Sequence, residues 1–310
     1  MSVRVLKPGL STTVQDRGRF GYAHLGISPC GAADALSMRI ANLLLGNRQD
    51  APVLEMTLLG ATLEFLSTAE IVLSGAACDC LMGTDLIPTH TLTAIGSGAV
   101  LQCGNITNGA RTYLAFRGGI RVPLVMGSGS TDIRGGFGGH EGRRLKAGDV
   151  LGFGANAISR SRQLRRNALA DVRRGEPIRV TQGAQSDWFA PEEYQKFLAS
   201  SFKVSEQSDR AGLRLTGEAP ISPREQKQLL TDGIPLGAIQ IPQDGQPIIL
   251  FVDQQTTGGY PKIANVIAAD MHRIGQLRPR DEVRFAELSI PQAVEALRAQ
   301  ERWLQTAWQE

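Results

Sequence analysis

The chain has 310 residues, 42% of them hydrophobic and 20% charged, which is enough apolar material for two domains of ordinary size. Its formal net charge of +3 excludes a protein whose strongly basic face binds nucleic acid. No apolar run approaches the roughly 20 residues that a membrane-spanning helix needs, so no membrane segment is predicted. No signal peptide is recognised at the start of the chain, and we expect a soluble, cytoplasmic protein.

The cysteine pattern favours free thiols over a metal site. All four cysteines lie in the first half of the chain, at Cys30, Cys78, Cys80 and Cys103. No second cysteine pair or His-x-His sequence completes a zinc-binding pattern. Free thiols in a reducing cytosol are the simplest explanation, and no metal site is predicted.

Short apolar runs bounded by Gly, Pro, Asn or Asp dominate the chain, and their length favours β-strands. The clearest runs are residues 70–74, 99–103, 112–116, 150–153, 248–252 and 283–288. The 35 glycines and 15 prolines predict many tight connections of the kind found in barrels and sandwiches. The predicted class is therefore mainly β.

A few peripheral helices are predicted from apolar spacing and from helix-start signals. They cover residues 34–45, residues 191–198, a segment after the capping box at 222–225, and a last helix from Pro291. Four apolar side chains of the last helix are predicted to form one face: Val294, Leu297, Leu304 and Trp308.

Several segments recur in the same order in the two halves of the chain, which predicts two related domains. Asp16-Arg17 recurs as Asp209-Arg210, residues 145–153 recur as 277–285, and residues 3–5 resemble residues 178–180. We therefore predict a first domain over 1–160, a basic linker over 161–176 and a second domain over 177–310.

Two loops carry a concentration of polar side chains beside glycines. The first covers residues 14–22, and the second covers residues 253–262 directly after the apolar run 248–252. Loops held by a rigid strand are common sites of ligand binding, although tight turns at a barrel end would give the same pattern. Asp16 beside Arg17, and Asp209 beside Arg210, equally fit structural pairs that hold the loops, and for the aspartates this interpretation is favoured.

The polar side chains in and around the two loops suit a carboxylate, a carbonyl oxygen or a phosphate, because amides, Arg, Lys and Tyr are hydrogen-bond donors. We predict catalytic roles for four of them: Lys262, Gln240, Arg210 and Tyr260. We predict that the others bind substrate: Gln15, Asp16, Arg17, Asn42, Asp253, Gln254, Thr257, Gly258 and Gly259.

A glycine-rich tract over residues 127–142 has two interpretations. Its backbone N–H groups could cradle an anion, or the tract could be a tightly turned barrel loop, which the sequence favours. No P-loop sequence and no Gly-x-Ser-x-Gly nucleophile elbow occurs in the chain. The four histidines are scattered, which favours packing or surface roles for them.

Motifs along nearly the whole chain resemble the family known as allophanate hydrolase subunit 2, as the C subunit of 5-oxoprolinase or as the Kip antagonist type. The chain is similar as well to part of the carboxyltransferase domain of urea carboxylase. The matching segments are residues 7–10, 14–22, 41–47, 54–55, 117–120, 127–131, 208–210, 237–247 and 253–262.

This resemblance implies two cyclophilin-like β-barrel domains and a role in a complex. The implied partners are the B subunit (Kip inhibitor type) and the A subunit of a 5-oxoprolinase, and the implied small acidic substrate is 5-oxoproline. The reaction would open its lactam ring to glutamate with ATP, which belongs to the assembled complex and not necessarily to this chain. No nucleic acid or membrane partner is expected.

Two alternatives remain open under the same resemblance. One is the carboxyltransferase component of a biotin-dependent urea or amide carboxylase, with biotin attached to another chain because no Met-Lys-Met sequence occurs here. The other is a non-enzymatic regulator of a histidine kinase. The chain also departs from the family, with Cys30 and Ala33 in place of Ser and Met, Ala211 where Met is frequent, and Arg280 where Gly is usual.

Overall fold

The computed structural model describes residues 1–154, 163–164, 176–224 and 229–309. Its contacts divide the chain into two units. The first comprises Met1–Phe20, Cys30–Ala168 and Thr306–Glu310, and the second comprises Gly21–Pro29 and Leu169–Gln305. The predicted linker over 161–176 lies almost wholly outside the described residues, and the predicted domain boundaries stay a prediction.

Ten strands form the main sheet of the first unit. They are β1 (Ser2–Lys7), β2 (Ser11–Gln15), β3 (Val53–Thr57), β4 (Thr62–Phe65), β5 (Ala69–Met82), β6 (Asp85–Leu86), β7 (Thr93–Ile95), β8 (Val100–Phe116), β9 (Ile120–Arg121) and β10 (Val150–Phe153). The order is β2-β3-β8-β4-β1-β10-β9, with β5 paired to β6, β7 and β8. Every pairing in this sheet is antiparallel.

The core of the first unit forms because alternate strand residues point inward. Val3 and Val5 of β1 are fully buried, whereas Arg4 between them is exposed. Phe116 is central to the core, with its ring centroid 6.1 Å from that of Phe65 and 5.0 Å from that of Phe153. Full burial of a side chain of this size contributes about 1.5–3 kcal/mol, so this layer is a major source of stability.

A buried polar network fixes the start of helix α1 (Ala35–Leu44). Glu55, which is 1% exposed, accepts hydrogen bonds of 2.8 Å from the Tyr113 hydroxyl and from the backbone N–H of Ala33. Burial, followed by the nearby Glu55 charge, raises the pKa of Tyr113 well above its usual value. Asp34 caps the helix by accepting a 2.8 Å hydrogen bond from the Ser37 N–H.

Eight strands form the main sheet of the second unit, in the order β20-β13-β14-β17-β16-β19-β12-β21. In chain order the strands after β10 are β11 (Gln163–Leu164), β12 (Ile178–Gln182), β13 (Phe202–Val204), β14 (Gly212–Gly217), β15 (Asp232–Gly233), β16 (Ala238–Gln240), β17 (Ile248–Leu250), β18 (Thr257–Gly258), β19 (Lys262–Val266), β20 (Glu282–Val283), β21 (Phe285–Glu287) and β22 (Trp308–Gln309). Two short pairs stand apart from the main sheets, β15 with β18 and β11 with β22.

Helices α2 (Pro191–Ala199), α3 (Met271–Ile274) and α4 (Ile290–Thr306) belong to the second unit for all but the last residue of α4. Phe197 of α2 stacks on Phe285 of β21 with ring centroids 4.8 Å apart, and Phe202 of β13 completes the aromatic cluster at 5.9 Å from each. This cluster attaches α2 to the sheet. No helix within the described ranges is long and apolar enough to cross a bilayer.

The predicted class is confirmed, because the described chain is mainly β, with two nearly closed barrel-like sheets and a few peripheral helices. The helices predicted over 34–45 and 191–198 are confirmed within one or two residues. The segment predicted to follow the capping box falls on residues 225–228, outside the described part. The predicted face of the last helix is wrong at Trp308, which lies in β22, whereas Val294 belongs to the helix and is 43% exposed.

The internal repeat has a structural signature in the turn before β10. The N–H of Gly148 donates to the Val5 carbonyl at 2.8 Å, and the N–H of Val5 donates to the Asp149 carbonyl at 2.8 Å. Gly148 adopts a left-handed φ of +91° in this turn. The turn therefore joins β10 to the middle of β1.

The same turn recurs in the second unit before β20. The N–H of Arg280 donates to the Val204 carbonyl at 2.8 Å, and the N–H of Val204 donates to the Asp281 carbonyl at 3.0 Å. Val204 in β13 is therefore the counterpart of Val5 in β1. The predicted correspondence of residues 3–5 with residues 178–180 is wrong, although the correspondence of the two turns is confirmed.

Replacing Arg280 by glycine is expected to stabilise the second unit. Arg280 has a left-handed φ of +75°, which is about 1–2 kcal/mol unfavourable for a residue with a side chain, against about 0.5–1 kcal/mol of extra unfolded-state entropy for glycine. Its exposed ion pair with Glu206 at 2.6 Å contributes little. Calorimetry should show a higher melting temperature for Arg280→Gly. Arg280→Ala, which loses the ion pair but keeps the strain, should give no increase, and an equal increase would contradict this explanation.

Candidate functional site

Lys262 is a buried cation at the end of the second polar loop. It begins β19, its side chain is only 2% exposed, and its Nζ lies 2.8 Å from Oδ2 of Asp232 in β15. The Asp232 side chain is 50% exposed. The hydrogen bond from Lys262, followed by one from the Gly233 N–H, lowers the pKa of the Asp232 carboxyl. A buried ammonium needs such a counter-charge, because its desolvation alone is strongly unfavourable.

Gln185 is a member of this site that the sequence analysis did not identify. Its Oε1 accepts a 3.2 Å hydrogen bond from the Lys262 N–H, and its side chain makes a small contribution to lowering the pKa of Asp232. Gly183 lets the backbones approach, because a Cβ there would lie 2.2 Å from the Lys262 carbonyl oxygen. The sequence did offer a weak signal for Gln185, because Gly183 and this amide come shortly after residues 178–180.

Gln240 lies next to Lys262 in the sheet. It is the last residue of β16 and the cross-strand partner of Lys262 in β19. The Gln240 side chain is 1% exposed, and its Nε2 donates to the Tyr260 carbonyl at 3.4 Å. Tyr260 itself is 45% exposed. We use the name Lys262 cluster for Lys262, Asp232, Gln185 and Gln240.

Gly258 lies against the Lys262 cluster. A Cβ at this position would come within 2.7 Å of Cδ1 of Ile234 and 3.1 Å of Nε2 of Gln240. Gly258 therefore leaves space for the Gln240 amide. Thr257 and Gly259 on either side are exposed.

Arg210 and Asp253 close the start of the loop through a bidentate ion pair. The distances are 2.8 Å from Nε to Oδ2 and 3.0 Å from Nη2 to Oδ1, and the side chains are 12% and 9% exposed. The N–H of Asp253 also donates to the Arg210 carbonyl at 2.9 Å. Asp209 accepts hydrogen bonds from the N–H groups of Ala211 and Gly212. These contacts fit the structural interpretation of the aspartates, with Asp253 as a partner of Arg210.

Gln254 carries a buried acceptor without a hydrogen-bond partner among the described residues. The residue is 3% exposed, and its Nε2 donates to the Ile234 carbonyl at 2.9 Å while Oε1 stays unbonded. Leaving such an atom unsatisfied is unfavourable by about 1–3 kcal/mol, so a ligand N–H that reached it would gain a strong interaction.

In the first unit, the Asp16 carboxylate is held by hydrogen bonds, which fits the structural interpretation. Its Oδ1 accepts from the Gly18 N–H at 2.7 Å and from the hydroxyls of Ser128 and Ser130 at 2.6 Å, while Oδ2 accepts from the Gly129 N–H at 2.6 Å. Four donors satisfy the carboxylate completely and hold the loop against residues 128–130. The neighbouring Arg17 is exposed.

The amides of Gln15 and Asn42 are mostly engaged inside the first unit. Asn42 donates to the Ala51 carbonyl at 2.8 Å and accepts from Asn47 at 3.0 Å. Gln15 donates to Thr131, and its Oε1 is buried without a partner in the described part of the chain, as is that of Gln254. Both loops thus contain a buried glutamine side-chain oxygen without a hydrogen-bond partner among the described residues.

The glycine-rich tract is a turned loop, and most of its N–H groups bond within the protein. Those of residues 129–131, 135–137, 139, 142 and 143 all have protein acceptors. Arg19, which is 2% exposed, crosses the tract by donating to the Ser130 carbonyl and placing its guanidinium 4.9 Å from the Phe137 ring centroid. These contacts favour the turned loop over an anion cradle.

Comparison with known proteins assigns the family. The model of the carboxyltransferase domain, subdomain A and B, matches residues 25–287. The chain belongs to the carboxyltransferase domain family. It is 39% identical over 307 residues to the C subunit of 5-oxoprolinase from Escherichia coli, covering 99% of this chain and 98% of that protein. The corresponding Haemophilus influenzae protein is 35% identical over 292 residues, covering 94% and 93%.

Solved structures of larger members of the family share the same fold. The urea carboxylase of Kluyveromyces lactis matches with a TM-score of 0.91 and 32% identity over 98% of this chain. The urea amidolyase of K. lactis matches with a TM-score of 0.89 and 33% identity, also over 98%. This chain spans 29% of the first structure and 20% of the second.

The structure brings Lys262, Gln240 and Tyr260 together and joins Arg210 to Asp253. Their catalytic and binding roles stay predictions, as do those of the other predicted site residues. The described residues contain no cluster of three His, Cys, Asp or Glu side chains that could hold a metal ion. The Lys262 cluster itself offers a fixed cation beside amide donors.

Gly258→Ala is expected to disturb the Lys262 cluster, because the new Cβ would press on Ile234 and on the Gln240 amide. Overpacking of this kind destabilises by about 1–3 kcal/mol. Gly259→Ala is the matched control, since its Cβ would meet only the Leu229 carbonyl oxygen at 3.4 Å, and neither glycine has a left-handed φ. Calorimetry should show a lower melting temperature for Gly258→Ala alone. Equal melting temperatures would refute the steric role of Gly258.

Proposed function

We propose that this chain is the C subunit of an ATP-dependent 5-oxoprolinase that opens the 5-oxoproline lactam to glutamate together with the partner A and B subunits. One observation carries the proposal: the match at 39% identity covers nearly all of both this chain and the C subunit of the E. coli 5-oxoprolinase. Matches to urea amidolyases cover only a minor part of those longer proteins.

The polar, cationic character of the Lys262 cluster supports this reaction. A lactam carbonyl is a poor electrophile, and negative charge develops on its oxygen when it is attacked. Amide N–H groups such as that of Gln240 stabilise such charge in a water-poor site, and removal of one such donor typically lowers kcat about 100- to 1000-fold. A fixed ammonium such as that of Lys262 holds an anionic substrate in place beside them. In the proposed roles, Lys262 and Gln240 hold the substrate oxygen atoms, and the Arg210–Asp253 pair fixes the loop that carries Tyr260.

ATP would supply a phosphoryl group to the lactam oxygen and so create a leaving group that water can displace. The glycine-rich tract of this chain is a poor match to a phosphate cradle, because most of its N–H groups are bonded within the protein. We therefore assign ATP binding to one of the partner chains in the complex. This chain's part in the proposal is to bind and orient the substrate.

Assembly and location follow from the same proposal. The A and B subunits are needed for turnover, and the isolated chain is expected to be inactive. We also propose a cytoplasmic location, because all four cysteines are buried free thiols and such thiols persist in a reducing compartment.

A second candidate function is the carboxyltransferase component of a biotin-dependent urea or amide carboxylase. The family description and the TM-score of 0.91 to a urea carboxylase favour it. Biotin would then be carried by another chain, and Lys262 would stabilise charge on the urea oxygen.

The deciding experiment combines the chain with its A and B partners and measures glutamate formed from 5-oxoproline and ATP. We expect glutamate only when all three chains are present. Lys262→Met should lower the rate by about 100-fold or more, because it removes the fixed charge that holds and orients the substrate. Lys203→Ala is the matched control, since Lys203 is an exposed lysine of the same unit.

Absence of glutamate from a fully assembled complex would contradict the 5-oxoprolinase proposal. Transfer of a labelled carboxyl group from carboxybiotin to urea would then be the next measurement, and its occurrence would establish the second candidate. A normal rate for Lys262→Met would remove Lys262 from the proposed site without affecting the assignment of the complex.

A further inference from the structure

We propose that the Asp232 carboxylate occupies the place of a substrate carboxylate, which displaces it from Lys262 on binding. The inference rests on the proposed function in taking the Lys262 cluster as the substrate site. It adds the chemical class of ligand that the cluster accepts, a carboxylate anion, and it assigns a role to Asp232.

The contrast in burial between the two partners shows which of them can be exchanged. The Lys262 side chain is 2% exposed, whereas that of Asp232 is 50% exposed. If the ion pair opens, water solvates the aspartate at once, but the ammonium stays in a poorly solvated place. An isolated buried charge is strongly disfavoured, so the site retains an anion at all times. Exchange of one carboxylate for another meets this requirement.

The strand that carries Lys262 is also more firmly held in the sheet than the strand that carries Asp232. Lys262 is in β19, which is hydrogen-bonded to β12 and β16 inside the eight-stranded sheet. Asp232 is in β15, a two-residue strand whose one partner among the described strands is β18. Withdrawal of Asp232 therefore disrupts one short surface pairing and leaves the main sheet intact.

The donors around the Asp232 carboxylate form a ready carboxylate receptor. The Lys262 ammonium donates to Oδ2 of Asp232 at 2.8 Å. The side-chain Oε1 of Gln185 accepts from the Lys262 N–H, which fixes the orientation of this amide beside Lys262. Charge-assisted hydrogen bonds of this kind are about twice as strong as neutral ones. The 5-oxoproline anion carries the required group, whereas urea and unsubstituted lactams do not.

The test compares two lactam probes that differ by the carboxylate alone. Binding of L-5-oxoproline and of 2-pyrrolidone is measured by titration calorimetry on the wild-type chain, Asp232→Asn and Lys262→Met. Removal of the internal competitor should tighten 5-oxoproline binding by about 3- to 10-fold. Lys262→Met should weaken it by about tenfold or more, through loss of a charged hydrogen bond. Neither variant should change binding of 2-pyrrolidone.

Asp50→Asn controls for the change in net charge. Asp50 belongs to the first unit, is 43% exposed and forms a 2.8 Å ion pair with Arg48, so it matches Asp232 in exposure and ion-pair distance while its partner is an exposed cation. Its replacement should leave 5-oxoproline binding unchanged. An equal gain in affinity for Asp50→Asn would mean that overall charge, and not displacement, causes the effect, and the proposal would fail.

Thermal unfolding gives a second measurement that remains informative if Asp232→Asn is less stable. That variant leaves the Lys262 ammonium without its anion, so added 5-oxoproline should raise its melting temperature more than that of the wild type. Equal shifts, or an equal effect of 2-pyrrolidone, would overturn the proposal.

Failure of this inference is distinguishable from failure of the proposed function. If Asp232→Asn does not bind 5-oxoproline more tightly while the assembled complex forms glutamate, the proposed displacement of Asp232 is wrong and the proposed reaction is correct. If the carboxylate exchanges as described but no glutamate forms, the receptor stands and the reaction is wrong.

Discussion

The desolvation of charged side chains is the constraint on which the arrangement of both loops depends, because a charge inside a barrel is tolerated only with partners. Asp16 meets this constraint with four donors from its own unit, and Arg210 meets it through bidentate contact with Asp253. In these two cases both sides of the interaction are buried. Lys262 differs, since its partner Asp232 is half-exposed. The Asp16 and Arg210 interactions are thus largely shielded from solvent, whereas solvent or a ligand can reach the Lys262–Asp232 ion pair.

The positions of the loops could be predicted from sequence, but the partners within them could not. Apolar runs mark strands, and polar residues beside glycines mark the loops that follow, so local pattern was sufficient to select Asp16 and Lys262. Their partners are distant in the chain: Ser128 is 112 residues from Asp16, and Asp232 and Gln185 are 30 and 77 residues from Lys262. No local pattern contains these separations, because they are set by strand order. Gln185 was missed for this reason.

The internal repeat illustrates a related limit. An apolar–charged–apolar triplet is typical of any strand with one buried face, so residues 3–5 resemble residues 178–180 and residues 202–204 equally well. Only the paired hydrogen bonds of the turn before β10 and of the turn before β20 identify residues 202–204 as the counterpart. The two turns require the same left-handed backbone, which Gly148 adopts freely and Arg280 adopts under strain. The shared feature is a backbone geometry, and the side chain is free to change.

Neither unit is a single continuous piece of chain. The second includes Gly21–Pro29 from near the start, and the first includes Thr306–Glu310 from the end. During synthesis most of the first unit is therefore translated before β22, the partner of β11. Residues 21–29 are translated before most of the second unit, to which they belong. A gene divided between the two halves would encode two fragments, each missing a segment that the other retains. Co-expressed fragments would therefore have to associate, because neither fragment contains all the residues of its own unit.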